Sequence, residues 1–319
     1  MKSENSIVKR LLKTKEIGII LILVVLSILI QIKNPIFLTY SNIIDVCRNT
    51  SYTLVIAVGM TFVLIAKGLD LSVGSMTALG GLIASLAMYN GIPIPIAVLL
   101  GMLMGLLFGI VNAFCIVKLN IPAMIATLGT MYMARGLVMI ITKGSPVFPL
   151  PEAFGQFGKG YFLGVPYVVI IAVVLSLLGH WVLSNTTYGR KVYAIGGNAE
   201  TAKFAGINVA LVTASCYMIS GVLAALSGIL TAARMGSGQP SIGDGTEMTV
   251  ITAVIIGGTS LNGGAGTILG TVLGALLMNV LQSGMNLVGV SPYWQKFVMG
   301  VIIIVAVGAD MYQRNKRRA

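Results

Sequence analysis

Ionisable side chains are rare within the long apolar stretches of this sequence. The most informative is Asp70, in the segment GLDLSVG (residues 68–74), where two glycines bound a turn that holds a carboxylate and the hydroxyl of Ser72. A charge inside a bilayer is costly and is a candidate for pathway or gating work, but Asp and Ser are also good helix N-caps. The turn therefore allows both interpretations. The other ionisable candidates are Asp45, Arg135, His180, Glu247 and Asp310.

Two of these candidates have more ordinary alternatives. His180 stands beside Trp181 at a helix end, which favours a position in the aromatic belt of a membrane over a proton relay. Arg135 falls within an apolar helix, where it either extends its guanidinium to the interface or pairs with a backbone carbonyl.

The residue patterns of catalysis are missing. The sequence has no Gly-x-x-x-x-Gly-Lys-Ser/Thr loop, so the chain does not hydrolyse ATP itself. It has no Gly-x-Ser-x-Gly elbow and no His, Cys and carboxylate cluster with metal-ligand spacing, and its three cysteines are dispersed. We therefore predict no catalytic residue, no metal site and no cofactor. The functions that remain possible are binding and transport.

The composition indicates the elements that carry these residues. Of the 319 residues 56% are hydrophobic and 9% charged, and the mean hydropathy is +0.95. Soluble domains carry about 25% charged residues, so a soluble enzyme and a disordered chain are both excluded. A helix needs roughly 20 apolar residues to span a bilayer, and the chain fits about ten. We predict an all-α polytopic membrane protein with spans near residues 17–32, 52–66, 72–89, 94–117, 123–141, 165–183, 210–230, 248–256, 267–288 and 297–311.

The charge distribution predicts the orientation. With the N-terminus inside and ten crossings, most of the 21 Lys and Arg residues fall in cytoplasmic segments, as the positive-inside rule requires. The net charge of +12 thus reports topology and does not indicate a nucleic-acid partner. The predicted parts are a basic cytoplasmic N-terminus (1–16), a transmembrane domain (17–311) and a basic cytoplasmic tail (312–319).

Small residues recur at helical spacing in two places. The Gly-x-x-x-Gly repeats at residues 101–109 and 266–274 each place glycines on one helix face, which allows close helix approach. Such faces pack either within one subunit or between subunits, and the sequence leaves both possibilities open.

The longest predicted cytoplasmic loop covers residues 184–208 and contains the segment AIGGNAETAKFAGIN (194–208). Gly196 and Gly197 interrupt the chain, Asn198 is a good cap for a short helix, and Gly206 is typical of a helix end. Alanines at every third position (199, 202 and 205) predict a small-residue face suited to docking into another protein. The alternative is a helix lying on the membrane surface.

This loop resembles the ATPase-coupling loop of permease subunits in ABC sugar importers of the ribose, xylose, arabinose and galactose branch, and most closely the ribose type. Further segments resemble the same family in the same order, so the resemblance covers nearly the whole chain. They are GLDLSVG (68–74), ATLGT (126–130), GSP (144–146), GGTSLNGG (257–264) and PYWQ (292–295).

The resemblance implies a bacterial plasma-membrane permease that pairs with a second permease copy, often as a homodimer. A cytoplasmic ABC ATPase with two fused nucleotide-binding halves would supply the energy, and an extracytoplasmic binding protein would deliver the sugar. The residues that the resemblance assigns to ATPase coupling are Gly197, Asn198, Glu200, Ala202 and Gly206.

A neutral sugar needs amide and hydroxyl partners and no counter-ion, which agrees with the scarcity of buried charge. The translocation or gating candidates are Asp70, Ser72, Asn112, Asn279, Gln282 and Asn286. For the amides, hydrogen bonds between helices are the alternative role.

Two other functions compete with the permease. A ten-helix secondary transporter of the drug/metabolite type would need no ATPase, and would need a coupling residue in the membrane core. A structural subunit would need no pathway. The coupling-like loop has no evident use in either, which favours the permease.

Overall fold

The protein is almost entirely helical in a computed structural model that describes residues 15–318. Residues 1–14 of the predicted N-terminal segment lie outside the described residues, as does Ala319. The helices are α1 (Lys15–Lys33), α2 (Tyr40–Ile65), α3 (Val73–Tyr89), α4 (Ile94–Ala113) with a π-helical turn (Phe114–Lys118), α5 (Ala123–Thr142), α6 (Glu152–Lys159), α7 (Tyr167–Asn185), α8 (Thr187–Gly197), α9 (Ala199–Phe204), α10 (Val209–Met235), α11 (Thr246–Ile256), α12 (Ile268–Leu287) and α13 (Pro292–Arg318). Between α6 and α7, strands β1 (Tyr161–Phe162) and β2 (Val165–Pro166) form an antiparallel pair.

The helices confirm a polytopic membrane fold. Within residues 15–318, seven helices are long and apolar enough to cross a membrane, and shorter apolar helices cover Val73–Tyr89, Thr246–Ile256 and Pro292–Gly308. Together they match the predicted apolar stretches in order. Helix α11 has 11 residues and is about 16 Å long, so it is shorter than the ~30 Å hydrocarbon core.

Two helices extend beyond their predicted apolar stretches. Helix α2 begins at Tyr40 and not near residue 52, and α13 extends from Pro292 to Arg318, so the predicted C-terminal tail is helical as far as Arg318. The early turns of α2 carry polar residues that lower the local hydropathy, although they lie on a helix that continues into the bundle. A high hydropathy is typical of residues that contact lipid, whereas these turns face a cavity.

Helix α10 is the centre of the bundle and packs against α2, α3 and α4. Glycines make its close approaches possible. A Cβ atom on Gly105 would collide with the carbonyl oxygen of Gly221 and with the Cβ of Ala225, and one on Gly109 would collide with the backbone of Met218. The absence of side chains therefore lets α4 and α10 touch backbone to backbone.

Contacts of this kind show whether the Gly-x-x-x-Gly faces pack within one subunit or between subunits. In the second repeat, Gly270 lies against the carbonyl of Gly257, and Gly274 lies against the carbonyl of Ala253, so α12 packs on α11. Both repeats are used for packing within one chain. The role as a subunit interface is thereby excluded for these glycines.

The α4–α10 contact predicts the effect of one added methyl group. Gly105→Ala should destabilise the bundle by about 1–3 kcal/mol, because the new methyl overlaps the α10 backbone and the helices must separate. Thermal unfolding of the detergent-purified protein would measure this change.

The matched control is Gly129→Ala on α5, where a Cβ atom meets nothing within 4 Å. Because alanine favours helix over glycine by up to about 1 kcal/mol, this variant should be neutral or more stable. Equal effects of the two substitutions would contradict the packing assignment.

Candidate functional site

A closed network of polar side chains surrounds Asp70. The Asp70 carboxylate is fully buried, and its Oδ1 accepts hydrogen bonds from the Ser72 backbone N–H (3.0 Å) and from the Ser72 hydroxyl (2.5 Å). The hydroxyl of Ser220, on α10, donates to Asp70 Oδ2 (2.8 Å). A buried carboxylate without such donors would be very costly. The network thus joins the start of α3 to the middle of α10.

The network continues into two further helices. The Asn112 amide, on α4, donates to the Ser72 hydroxyl (2.9 Å), and the Thr130 hydroxyl, on α5, donates to Asn112 Oδ1 (2.6 Å). All of these side chains are buried. Asp70, Ser72 and Asn112 therefore face one another and not a cavity, and their gating role stays a prediction.

The N-cap position of α3, which the sequence allowed for Asp70, is occupied by Ser72. The side chain of Ser72 itself makes no capping hydrogen bond. Asp70 instead folds back on Ser72 and reaches across to α10. The carboxylate ties helices together more than it caps one.

A polar cavity of about 550 Å³ lies between α2, α10 and α12. Three of the predicted lining residues, Asn279, Gln282 and Asn286, are on its wall, spaced by three and four residues along one face of α12. Opposite them α2 contributes further amides and a hydroxyl. The additional polar lining includes Asn42, Asn49, Thr53, Thr231 and Ser283.

The cavity is lined by neutral groups apart from one compensated charge. Asp45 is part of the wall, and its carboxylate lies 3.3 Å from the guanidinium of Arg234. Arg234 also donates to the side-chain oxygen of Asn49 (2.7 Å). With its charge paired, the wall offers donors and acceptors suited to an uncharged, hydroxyl-rich ligand.

The cavity occupies the half of the bundle where α2 begins and α10 and α12 end. From Asn42 to Ile56 its α2 wall is about 21 Å long, and its deep end is formed by Ile56, Thr77 and Gly243. A second cavity, of about 610 Å³, shares Thr53, Thr246 and Gln282 with it. The two cavities are therefore neighbours beside α11, and the second also carries the charged residues Asp244, Glu247 and Lys296.

Sequence reasoning missed the α2 wall of this cavity, because the predicted helix began too late. A signal for it was present. Asn42, Asp45, Asn49, Thr53 and Ile56 follow one another at spacings of three and four residues, which is the pattern of one helix face.

The predicted coupling loop folds as α8 and α9. The Asn198 side chain accepts a hydrogen bond from the Thr201 N–H (3.0 Å), which confirms it as the N-cap of α9. Gly206 has φ +79° and ends the helix, with the Ile207 N–H bonded to the Ala202 carbonyl (3.0 Å). This is the hydrogen-bond pattern of a Schellman helix end.

The exposed face of α9 differs from the predicted one. Gly197, Asn198, Glu200 and Gly206 are exposed, but Ala202 is only 4% exposed and belongs to the core. The prediction that Ala202 forms part of a docking face was wrong. Because Ala202 and Phe204 lie on opposite sides of the helix, Phe204 points outward and is 91% exposed.

Helices α8 and α9 are fastened to the ends of the bundle helices. Gly196, on α8, lies directly against the carbonyl of Ile65, the last residue of α2, and that carbonyl also accepts from the Gly264 N–H of the loop before α12 (2.9 Å). The hydroxyl of Tyr193, also on α8, donates to the Gly266 carbonyl, just before α12 (2.7 Å). A force on α9 therefore reaches α2 and α12, the helices that line the cavity.

The other ionisable candidates have clear positions. Arg135 pairs with backbone carbonyls, donating to Pro240 (2.9 Å) and Ile242 (3.0 Å). His180 is exposed on α7 beside Trp181, which is 58% exposed. The side chain of Asp310 lies outside the described part of the chain. Within the described part, no group of three or more His, Cys, Asp or Glu residues could hold a metal ion.

The network around Asp70 predicts the effect of removing one donor. Ser220→Ala leaves Asp70 Oδ2 without its hydroxyl partner and should cost about 1–3 kcal/mol, because a buried acceptor stays unsatisfied. The midpoint of thermal unfolding in detergent should fall by several degrees.

Ser176→Ala is the control, because the buried Ser176 hydroxyl donates only to Ala172 on its own helix, α7. This variant should unfold near the wild-type temperature. Equal losses in the two variants would show that the network contributes nothing beyond ordinary helix packing.

Comparisons with known proteins find import permeases among the relatives of this chain. The chain is 38% identical to the ribose import permease protein RbsC of Haemophilus influenzae (92% of this chain, 93% of the relative) and 41% identical to RbsC of Bacillus subtilis (93% and 92%). It is 35% identical to the galactose/methyl galactoside import permease protein MglC of Haemophilus influenzae (95% and 96%). No solved structure matches the chain.

The family described as "Branched-chain amino acid transport system / permease component" matches residues 42–307, which is most of the chain. That match includes the cavity, the network around Asp70, and helices α8 and α9. The chain therefore belongs to this family of membrane transport permeases.

Proposed function

We propose that the protein is the transmembrane permease subunit of an ATP-driven ABC importer, and that it moves a monosaccharide of the ribose type inward. The relatives at 35–41% identity are named as import permeases for ribose or galactose. The observation that carries the proposal for this chain is its own cavity, lined by amides and hydroxyls with one compensated charge.

The chemistry of the cavity suits a neutral sugar. Each amide offers two donors and an acceptor, and each hydroxyl offers both, which matches the hydroxyl groups of a monosaccharide. A volume of about 550 Å³ falls in the range of roughly 300–1,000 Å³ typical of small-molecule sites. An acidic or basic substrate would need an unpaired counter-charge, and Asp45 is already paired with Arg234.

The proposed topology places the cavity at the outer face of the plasma membrane. With ten crossings and both termini in the cytoplasm, α2 begins outside and α12 ends outside, so the cavity opens outward. An extracytoplasmic binding protein would release the sugar there. The basic segments, including residues 1–16, would remain inside.

The energy would come from a cytoplasmic ABC ATPase with two fused nucleotide-binding halves. We assign the docking contact to α9, with the exposed Phe204 as its apolar anchor and Glu200 and Lys203 beside it. ATP binding would push on α9, and the contacts of the α8 residues Gly196 with Ile65 and Tyr193 with Gly266 would pass the movement to α2 and α12. A second copy of the chain would complete the permease.

The competing secondary transporter has less support. It requires a membrane-core residue that binds the coupling ion. Asp45 is paired with Arg234, and both oxygens of Asp70 accept hydrogen bonds from serines within a closed network. The similarity to import permeases also favours the ATP-driven reading.

The cavity wall predicts a change in transport kinetics. Gln282→Leu removes the amide that borders both cavities, so the KM for ribose uptake should rise about 2- to 10-fold, the value of one hydrogen bond to a neutral group. Uptake by proteoliposomes that contain the complete importer would measure it. Gln156→Leu, at an exposed position of α6, is the control and should leave uptake unchanged.

The assignment of α9 predicts the loss of a partner. Phe204→Ser removes an apolar anchor of a kind that contributes about 2 kcal/mol or more to binding, so the ATPase should bind about 30-fold more weakly. Co-purification of the co-expressed ATPase in mild detergent would show this loss.

Leu163→Ser removes an equally exposed apolar side chain (90%) from the β1–β2 turn, and this variant should retain the ATPase. If both variants retain it, α9 is not the docking site. If the permease alone accumulates ribose on an ion gradient, the ATP-driven mechanism is wrong.

A further inference from the structure

The segment between α10 and α11 (residues 236–245) turns back into the bundle, and we name it the re-entrant loop. Near its start Gly238 lies against Ser85 of α3, and near its end Gly243 lies against Gly74 of the same helix. These two α3 positions are 11 residues, or about 16 Å, apart. The loop thus descends along α3 without regular secondary structure.

Such backbone survives at membrane depth only where protein or a water-filled cavity satisfies its polar groups. Two contacts do so here. Val147 and Gly238 exchange backbone hydrogen bonds (2.9 and 3.0 Å). Arg135 Nη1 donates to the Pro240 and Ile242 carbonyls. The Glu247 carboxylate, just after the loop, packs against Gly74 of α3.

The tip of the loop is the floor of the polar cavity. Ile242 and Gly243, together with Thr246 at the start of α11, line its deep end beside Ile56 and Thr77. In the proposed topology the sugar enters at the end that carries Asn42 and Asn286, so this tip lies between the sugar and the cytoplasmic side. The position of the tip depends on Arg135, which reaches it from α5.

We propose that the re-entrant loop is the inner gate of the sugar cavity, and that Arg135 is the positioning residue that holds this gate closed. The inference rests on the proposed function, since it assumes that a sugar passes through the cavity. Arg135 does not line the cavity itself. It acts through the carbonyl of Ile242, which together with Gly243 lines the cavity.

Two features make the loop suited to open and close. Gly243 and Gly245 have φ +79° and +74°, so the backbone at the tip adopts conformations that other residues reach only with strain. Charge-assisted hydrogen bonds from a guanidinium are strong at low dielectric, yet they can be exchanged for other carbonyls or water. Since Val147 holds only the start of the loop, the hydrogen bonds from Arg135 are the side-chain contact that fixes its tip, and their exchange would release the tip.

The first experiment measures the loop itself and needs no sugar. A nitroxide spin label is attached to Ser241→Cys, an exposed loop position, after Cys47, Cys115 and Cys216 are replaced by alanine. In Arg135→Gln the labelled loop should become more mobile by electron paramagnetic resonance. Arg135→Lys, which retains a cationic donor, should stay near the parent spectrum. Equal mobility in all three proteins would overturn the proposal.

The second experiment measures the gate. Proteoliposomes with the complete importer are loaded with ribose, and efflux is followed without ATP. In Arg135→Gln passive efflux of ribose should rise at least 10-fold. If Arg135 had a purely structural role, the yield of folded protein would fall but the vesicles would not leak. Tight vesicles that still import ribose with ATP would overturn the proposal.

A second pair of variants covers the case in which Arg135→Gln does not fold. Gly243→Ala adds a methyl that collides with the Gly74 carbonyl, while Gly245→Ala, at a similar φ, meets nothing within 4 Å. Only Gly243→Ala should leak, and equal efflux from the two would contradict the gate.

The gate and the proposed function fail in different ways. If the wild-type complex imports no sugar with ATP, the proposed function is wrong, whatever the spin label reports. If the wild type imports sugar but neither Arg135→Gln nor Gly243→Ala leaks, the gate alone is wrong.

Discussion

The bilayer interior offers no water, so every polar group that the chain buries must find its partner within the protein. This constraint explains the Asp70 network, in which serines from α3 and α10 supply the donors that solvent cannot. It also explains why Arg135 lies where two loop carbonyls need a donor. The amides of the cavity wall are a partial exception. Asn49 accepts from Arg234 and Asn279 donates to the Ala275 carbonyl, and their remaining donors and acceptors are open to water or a polar ligand.

The helices around α10 pack densely on one side and leave room for the cavity on the other. Because glycines let α4 and α10 touch backbone to backbone, the bundle is dense on that side. On the other side the cavity lies between α2 and α12, which are bridged near its rim by the hydrogen bond from the Ser283 hydroxyl to Asn42 Oδ1 (3.4 Å). Deeper in the bundle the two helices meet again, where the hydroxyls of Thr61 and Thr271 lie 2.7 Å apart.

The two cavity helices also connect the sites that transport must couple. Helix α2 runs from the cavity wall to Ile65, against which Gly196 of α8 packs. Helix α12 starts beside the Gly266 carbonyl, which accepts a hydrogen bond from Tyr193. A displacement of α8 and α9 thus has a short, rigid route to the cavity. The proposed gate is the re-entrant loop, which is held by α5 and α3. The loop that forms the cavity floor could therefore move separately from α2 and α12, which form the cavity wall.

Much of this protein follows from local sequence. Apolar stretches, their Gly and Pro boundaries and the charge distribution indicate the membrane class and nearly all helices, and Asn198 and Gly206 mark the ends of α9 through chemistry that acts over a few residues. The amides at positions 279, 282 and 286 share a face for the same reason. What faces each residue is decided only by the tertiary structure. The burial of Ala202, the cavity beside the first turns of α2, and the partners of Arg135, 105 and 107 residues away, depend on neighbours that are distant in sequence. Hydropathy cannot distinguish a polar side chain that faces solvent from one that faces a cavity, because both carry the same polar atoms and differ only in what packs around them.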